Sequence, residues 1–241
     1  MSVENGEWIL YGAERDDPRC LRSSGELTAL VNELGFLPLF RSEGLPLFSV
    51  EERTEPLYWW SGDRERDPWE WRGVLAAEGQ VAYGKFFNKK AGFISRKWLP
   101  YFANARRDGY DFDARWEDEK AIWRQKKIMD CFAGGEELYS FELKQRAGFG
   151  KDGEKNFEGA VTELQMQLYL TVRDFRRRIN KAGQPYGWSV AVYTPPETVF
   201  GYDCLSAAYA ESPETSRERI FERAREIIPG ADEKALKKLL K

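Results

Sequence analysis

Residues 117 to 194 decide the fold. The stretch opens with EDEKAIWRQKKIMDCFAGG (Glu117 to Gly135) and continues through SFELKQRAG (Ser140 to Gly148) and FEGAVTELQMQLYL (Phe157 to Leu170). It closes with LTVRDFRRRI (Leu170 to Ile179), NKAGQP (Asn180 to Pro185) and YGWSVAVYT (Tyr186 to Thr194). The first segment predicts one helix. Its acids come early and its lysines late, Ile122, Trp123, Ile128 and Met129 fall near one face, and Gly134-Gly135 stops it. Two shorter helices are expected at Ser140 and Phe157, followed by two β-runs around a basic turn. Helix, tight turn, short helix and basic-tipped hairpin is the order of a winged helix-turn-helix unit, expected here over residues 115–200.

Upstream, SSGELTALVNELG reads as a helix capped by Ser23 or Ser24 and closed by Gly35, with Leu27, Leu30, Val31 and Leu34 on one face. FLPLF, which follows, is barred from a central strand because Pro38 removes a ladder donor. Asp67-Pro68-Trp69 starts a second helix that runs to about Gly79. QVAYGKFFNKKAGFIS reads as a hairpin or extended excursion turning at Asn88-Lys89-Lys90. A helix after Ser95 carries Trp98, Tyr101, Phe102 and Ala105, and Pro100 delays its start. The tail from Pro213 gives two charged helices. The expected class is α+β, mainly helical, with winged helix-turn-helix units and small antiparallel hairpins. Its divisions are 1–114, 115–200 and a helical tail at 201–241.

Composition narrows the chemistry. The chain of 241 residues is 42% hydrophobic and 15% aromatic, enough for a real core, and no run is long and apolar enough to span a membrane. The start, MSVENGEWILYG, has no signal-peptide pattern, so a cytoplasmic location is expected. Histidine is absent, which excludes Ser-His-Asp and Cys-His catalysis and His-ligated metals. Cys20, Cys131 and Cys204 are odd in number and far apart, as fits reduced thiols. No metal or cofactor is expected. The net charge of -3 hides a strong asymmetry. Residues 1–80 carry 16 acids against 8 bases, whereas Val81 to Arg107 carries seven bases and no acid.

The helix ending in ELGFLPLF, the stretch VAYGKFFNKKAGFISRKWLPYFANARRDG and the run from KKIMDCF through ELKQRAGFG to ELQMQLYL lie in an order that resembles the AlkZ-related branch of the AlkZ/YcaQ alkylpurine DNA glycosylases. The resemblance covers roughly Ser23 to Thr194 and implies a winged-helix architecture with DNA, ahead of RNA, as partner. In active glycosylases of that group a Gln-x-Asp or Gln-x-Gln motif follows the first helix. Laid on this chain it falls on Pro38 and Phe40, which can neither orient nor polarise a water. The resemblance therefore implies a nucleic-acid-binding relative lacking the motif. The alternatives are a base-excision enzyme, an N-glycosidic bond hydrolase, with a replacement carboxylate, and a protein-interaction module. Gln165-Met166-Gln167 repeats the motif's spelling in the wrong place and reads as an ordinary helix with exposed glutamines.

Three constellations remain as candidate sites. Lys85, Lys89, Lys90, Arg96, Arg106 and Arg107, interleaved with Phe86, Phe87, Phe93 and Trp98, offer phosphate contacts beside stacking surfaces, or a solvated face over an aromatic core. Lys144, Gln145 and Arg146 on a recognition helix, and Arg173, Arg176, Arg177, Arg178 and Lys181 on the wing, extend the nucleic-acid reading. Edge-strand protection is the plainer role for the wing. In LYWWSGDRERDPWEW, Trp59, Trp60, Trp69 and Trp71 could form a cage for a flipped base, and Asp63, Asp67 and Glu70 are the candidate replacement acids or bases. The plainer role there is a Trp-rich packing corner.

Overall fold

The computed structural model describes residues 2–4 and 7–241. Its elements, in chain order, are β1 (Ser2–Glu4), β2 (Glu7–Ile9), α1 (Ser24–Leu34), β3 (Phe36–Pro38), α2 (Pro68–Glu78), β4 (Val81–Phe87), β5 (Lys90–Ser95) and α3 (Leu99–Arg107). There follow α4 (Phe112–Glu117), α5 (Trp123–Met129), β6 (Leu138–Tyr139), α6 (Ser140–Arg146), α7 (Phe157–Met166), β7 (Thr171–Ile179) and β8 (Pro185–Thr194). The chain ends with α8 (Pro196–Phe200), α9 (Tyr202–Ser206), α10 (Pro213–Ile227) and α11 (Glu233–Leu240).

Local chemistry sets the first helices. The Ser23 hydroxyl accepts the Glu26 N–H at 3.2 Å, and Gly35, with φ of 100°, closes α1. Asp67 caps α2, Pro68 occupies its first turn, and Gly79 ends it in the left-handed region. Pro38 sits where a proline is tolerated, on β3 at the edge of the sheet.

The two hairpins, expected as separate small features, join into one six-stranded antiparallel sheet of order β3-β5-β4-β7-β8-β6. The junction is the pairing of Tyr83 on β4 with Val172 on β7. Each half repeats one order: helix, short edge strand, helix, hairpin. In the first half this is α1, β3, α2 and β4–β5; in the second it is α5, β6, α7 and β7–β8, with α6 inserted before α7. The halves meet at their inner strands as if related by a twofold axis. Because β4 and β7 run antiparallel, the turn at Asn88-Lys89 and the turn at Asn180–Gln184 point to opposite ends of the sheet.

A single core fills both halves, including Phe36, Phe86, Phe87, Phe93 and Phe102 beside Leu143, Leu164 and Leu170. Phe36 packs edge-on against Phe102 with ring centroids 5.1 Å apart. At 25–30 cal/mol per Å2, burying each such ring contributes roughly 2–3 kcal/mol.

The run from Glu117 to Gly135 departs from expectation. It is not one helix: α4 begins earlier, at Phe112, the chain breaks at Asp118 to Ile122 with Glu119 in the left-handed region, and α5 starts at Trp123. Packing overrides the local pattern. Phe112 is buried with its ring 5.2 Å from that of Tyr169, while Ala121, Gln125 and Ile128 turn inward and leave Ile122 and Trp123 exposed.

Candidate nucleic-acid interface

At the tryptophan corner, buried Asp67 is a structural cap. Its Oδ1 accepts the N–H groups of Trp69 at 2.8 Å and Trp60 at 3.1 Å, and its Oδ2 accepts that of Gly62 at 3.0 Å. These bonds hold Trp60 at φ of 59°. Fully buried and accepting three N–H groups, this carboxylate is turned to its own backbone and away from a substrate proton. Asp63 accepts the Glu65 N–H in a local turn, and Glu70 is exposed on the first turn of α2. Trp71 leaves the expected cage: it is buried, and its Nε1 donates to the Glu65 carbonyl.

The other three tryptophans cluster around Phe40. Its ring lies 5.3 Å from Trp59 and 6.4 Å from Trp69, and Trp60 lies 5.7 and 6.3 Å from those two. Arg72 then sits 3.5 Å over Trp69 and 3.9 Å over Phe175, and burial pulls its guanidinium below the usual value. Phe40 and Pro38, the positions the resemblance gives to the Gln-x-Asp/Gln motif, are thus packing residues, Pro38 in the sheet and Phe40 in this stack.

The basic stretch from Lys85 to Arg107 is largely committed inside the fold. Phe86, Phe87 and Phe93 are fully buried, so they belong to the core and are not stacking surfaces. Arg107, only 1% exposed, pairs with Glu197 at 2.5 Å, donates to the Leu168 carbonyl and lies 4.7 Å over the Tyr169 ring. Burial works against its charge, but Glu197 and Tyr209 more than offset this and hold the guanidinium above its usual value. Arg106 donates to the Phe86 carbonyl at 2.6 Å and covers the Phe102 ring. Lys85 reaches Thr162, and its N–H donates to Gln165 Oε1 at 3.0 Å. Gln165, expected to be exposed, is instead buried and ties α7 to β4. Arg96 is exposed, with Nη2 on the Phe200 carbonyl; Lys89 and Lys90 are exposed at the hairpin turn.

The second half gathers the remaining basic residues. Arg173 caps the end of α2 by donating to the Ala76 and Ala77 carbonyls and pairs with Glu137 at 3.0 Å, while Arg176 is bound by Glu137 and Asp174, both at 2.7 Å. Beyond them the hairpin is free of acids: from Phe175 to Pro195 the sequence has none. Arg177 and Lys181 are exposed, and Arg178 lies 4.5 Å over the Phe141 ring on α6. Phe141, Lys144 and Gln145 share one face of α6 by their spacing, so this contact brings the hairpin beside exposed Lys144 and Gln145, whereas Arg146, five residues from Phe141, is exposed on another face. In the sequence reading Lys144, Gln145 and Arg146 lay on the recognition helix. In the structure the helix that leads into the hairpin is α7, whose exposed side chains include Glu158 and Glu163.

One residue escaped the sequence reading. Arg176 pairs with Val190 and Arg178 with Tyr186, so Arg177 faces three residues, Gly187 to Ser189. Gly187, at φ of 69°, makes this bulge possible, and Trp188 at its crest is 93% exposed. The signal was Gly-Trp within an acid-free, arginine-rich hairpin.

These features define an α+β protein with a six-stranded antiparallel sheet, a stacked aromatic corner and a projecting basic-aromatic hairpin. The chain belongs to the AlkZ-related family, whose profile matches residues 21–241. A solved structure with a similar outline is Streptomyces sahachiroi DNA glycosylase AlkZ, at a TM-score of 0.45 and 12% identity, covering 92% of this chain. This chain spans 60% of the length of that structure. No curated protein matches. Among the described residues no helix is long and apolar enough to cross a membrane, and no group of three or more Cys, Asp or Glu residues is placed to hold a metal.

Proposed function

We propose that the protein is a nucleic-acid-binding member of its family that engages duplex DNA through the β7–β8 hairpin and α6 and does not excise bases. In this reading each half of the sheet, 24–95 and 123–194, is a winged helix-turn-helix unit, the tail from 201 buttresses them, and the protein works in the cytoplasm. The observation that carries it is the hairpin itself. Arg177 and Lys181 are exposed for phosphates, Arg178 and Lys144 lie beside them, and Trp188 and Tyr186 offer stacking surface on a stretch, Phe175 to Pro195, that carries no acid. The exposed acids of α7 argue for wing contacts over reading by that helix. The absence of excision is supported by Pro38 and Phe40 and by the saturation of Asp67.

The test pairs two assays on a duplex carrying 7-methylguanine. Fluorescence anisotropy should give binding that weakens at least tenfold in Arg177→Ala/Lys181→Ala. Single-turnover reactions with protein in excess should release base at the spontaneous rate. Unchanged affinity in the double variant refutes the interface, and release well above background refutes the non-catalytic reading.

A further inference from the structure

The hairpin turn at Asn88-Lys89 borders a second basic surface at the far end of the sheet. A groove of about 960 Å3 runs between it and α11, lined by Ser42, Asn88, Lys90, Lys234 and Lys238. Its walls are fixed. The Asp232 N–H donates to the Gly44 carbonyl at 3.1 Å, and a Cβ on Gly44 would lie 3.1 Å from those of Ala235 and Asp232, so only glycine allows so close an approach. Across the groove the Lys89 N–H donates to Met166 Sδ, holding the turn.

Two acids also line it, Glu43 and Asp232, whose carboxylate caps α11 by accepting the Ala235 N–H at 2.7 Å and keeps its charge; with nearby Lys89, four lysines face these two carboxylates. Lys234 and Lys238, one helical turn apart, are separated by about 6 Å along the axis, close to two of the roughly 3.4 Å steps between successive phosphates of one DNA strand. Among the described residues no aromatic side chain lines the groove to stack on a base. A phosphate backbone bound without regard to sequence is the ligand this chemistry fits.

The sheet fixes how this surface relates to the other. Six residues lead from Tyr83 to Lys89 in one direction, and nine lead from Val172 to Lys181 in the opposite one. At ~3.3 Å per residue the two tips lie about 50 Å apart. DNA is stiff over that length, so a straight duplex meets both surfaces only if it lies along the line joining the tips, and one that crosses that line at either tip leaves the other free for a second segment. We infer that one copy of the chain holds two separate nucleic-acid segments, one on the β7–β8 hairpin and one in the α11 groove. The inference rests on the nucleic-acid reading above.

The experiment mixes the full chain with two 20-base-pair duplexes, one carrying an energy-transfer donor and the other an acceptor, and adds sedimentation to count chains per complex. Transfer between duplexes should appear near equal concentrations, vanish at large protein excess, and come from complexes with a single chain. The variant Lys89→Ala/Lys90→Ala/Lys234→Ala/Lys238→Ala should lose transfer at least tenfold while still binding one duplex. Binding without transfer, transfer unchanged in the variant, or bridging complexes with two chains would each overturn this inference and leave the hairpin reading standing. So would displacement of the groove-bound duplex by polyglutamate at concentrations where free duplex does not compete. A wild-type chain that binds no duplex overturns both.

Discussion

Replacing Asp67 with alanine separates a structural carboxylate from a catalytic one. The substitution removes the cap of α2, worth roughly 0.5–2 kcal/mol, and strands the Trp60 and Gly62 N–H groups near a buried position. Together with the charge-assisted character of these bonds, the loss should reach about 3–4 kcal/mol. Asp67→Asn should cost less, about 1–2 kcal/mol, because its amide oxygen can keep the Trp60 and Trp69 bonds while its nitrogen faces the Gly62 N–H. With a urea dependence of roughly 2–3 kcal/mol/M, the alanine variant should unfold at a midpoint lower by about 1–2 M. Equilibrium urea unfolding followed by tryptophan fluorescence measures this, with duplex binding measured well below the transition. An Asp67→Ala protein that keeps the wild-type midpoint but loses duplex binding would make this carboxylate a functional group and not a cap.

Other outcomes follow from the same geometry. Arg107→Met should destabilise the fold by about 3 kcal/mol or more in thermal or urea melts, because Glu197 and the Leu168 carbonyl lose a buried partner, and should leave the salt dependence of DNA binding unchanged. Burial raises the hydroxyl pKa values of Tyr83, Tyr169 and Tyr193 above the ordinary value of 10.0. These groups stay protonated in the fold while the unfolded chain ionises. Their contribution is therefore complete below about pH 10 and is lost as pH rises above it, and a urea midpoint that stays flat to pH 11 would contradict this. Trp188→Ala should leave stability within about 0.5 kcal/mol of wild type, as for an exposed side chain, while removing most of the fluorescence quenching expected when duplex DNA is added to wild type.

Where local chemistry sets structure, the sequence was readable. Ser23 and Gly35 bound α1, Asp67-Pro68 and Gly79 bound α2, and Pro38 placed its strand on an edge. What failed depends on partners distant in the chain. The sheet is joined by Tyr83 and Val172, Arg107 is buried by Glu197 and Leu168, and Gln165 is drawn inward by the Lys85 amide. No spacing rule distinguishes such a buried arginine from one that reaches for phosphate. The helix expected over 117–135 broke because Phe112, Ala121 and Ile128 were needed inside at angles one straight helix cannot supply. Charge alone singled out the basic residues, and only the structure divides them into core staples, ion pairs and exposed cations.

The most direct test of the account is the salt dependence of duplex binding by wild type and by Arg177→Ala/Lys181→Ala. Backbone binding by this hairpin gives a negative slope of log Kobs against log salt whose magnitude falls by about 1.8 in the variant, near 0.9 for each lost phosphate contact. A wild-type slope near zero, or one that the two substitutions leave unchanged, would contradict the claim that this hairpin binds the nucleic-acid backbone.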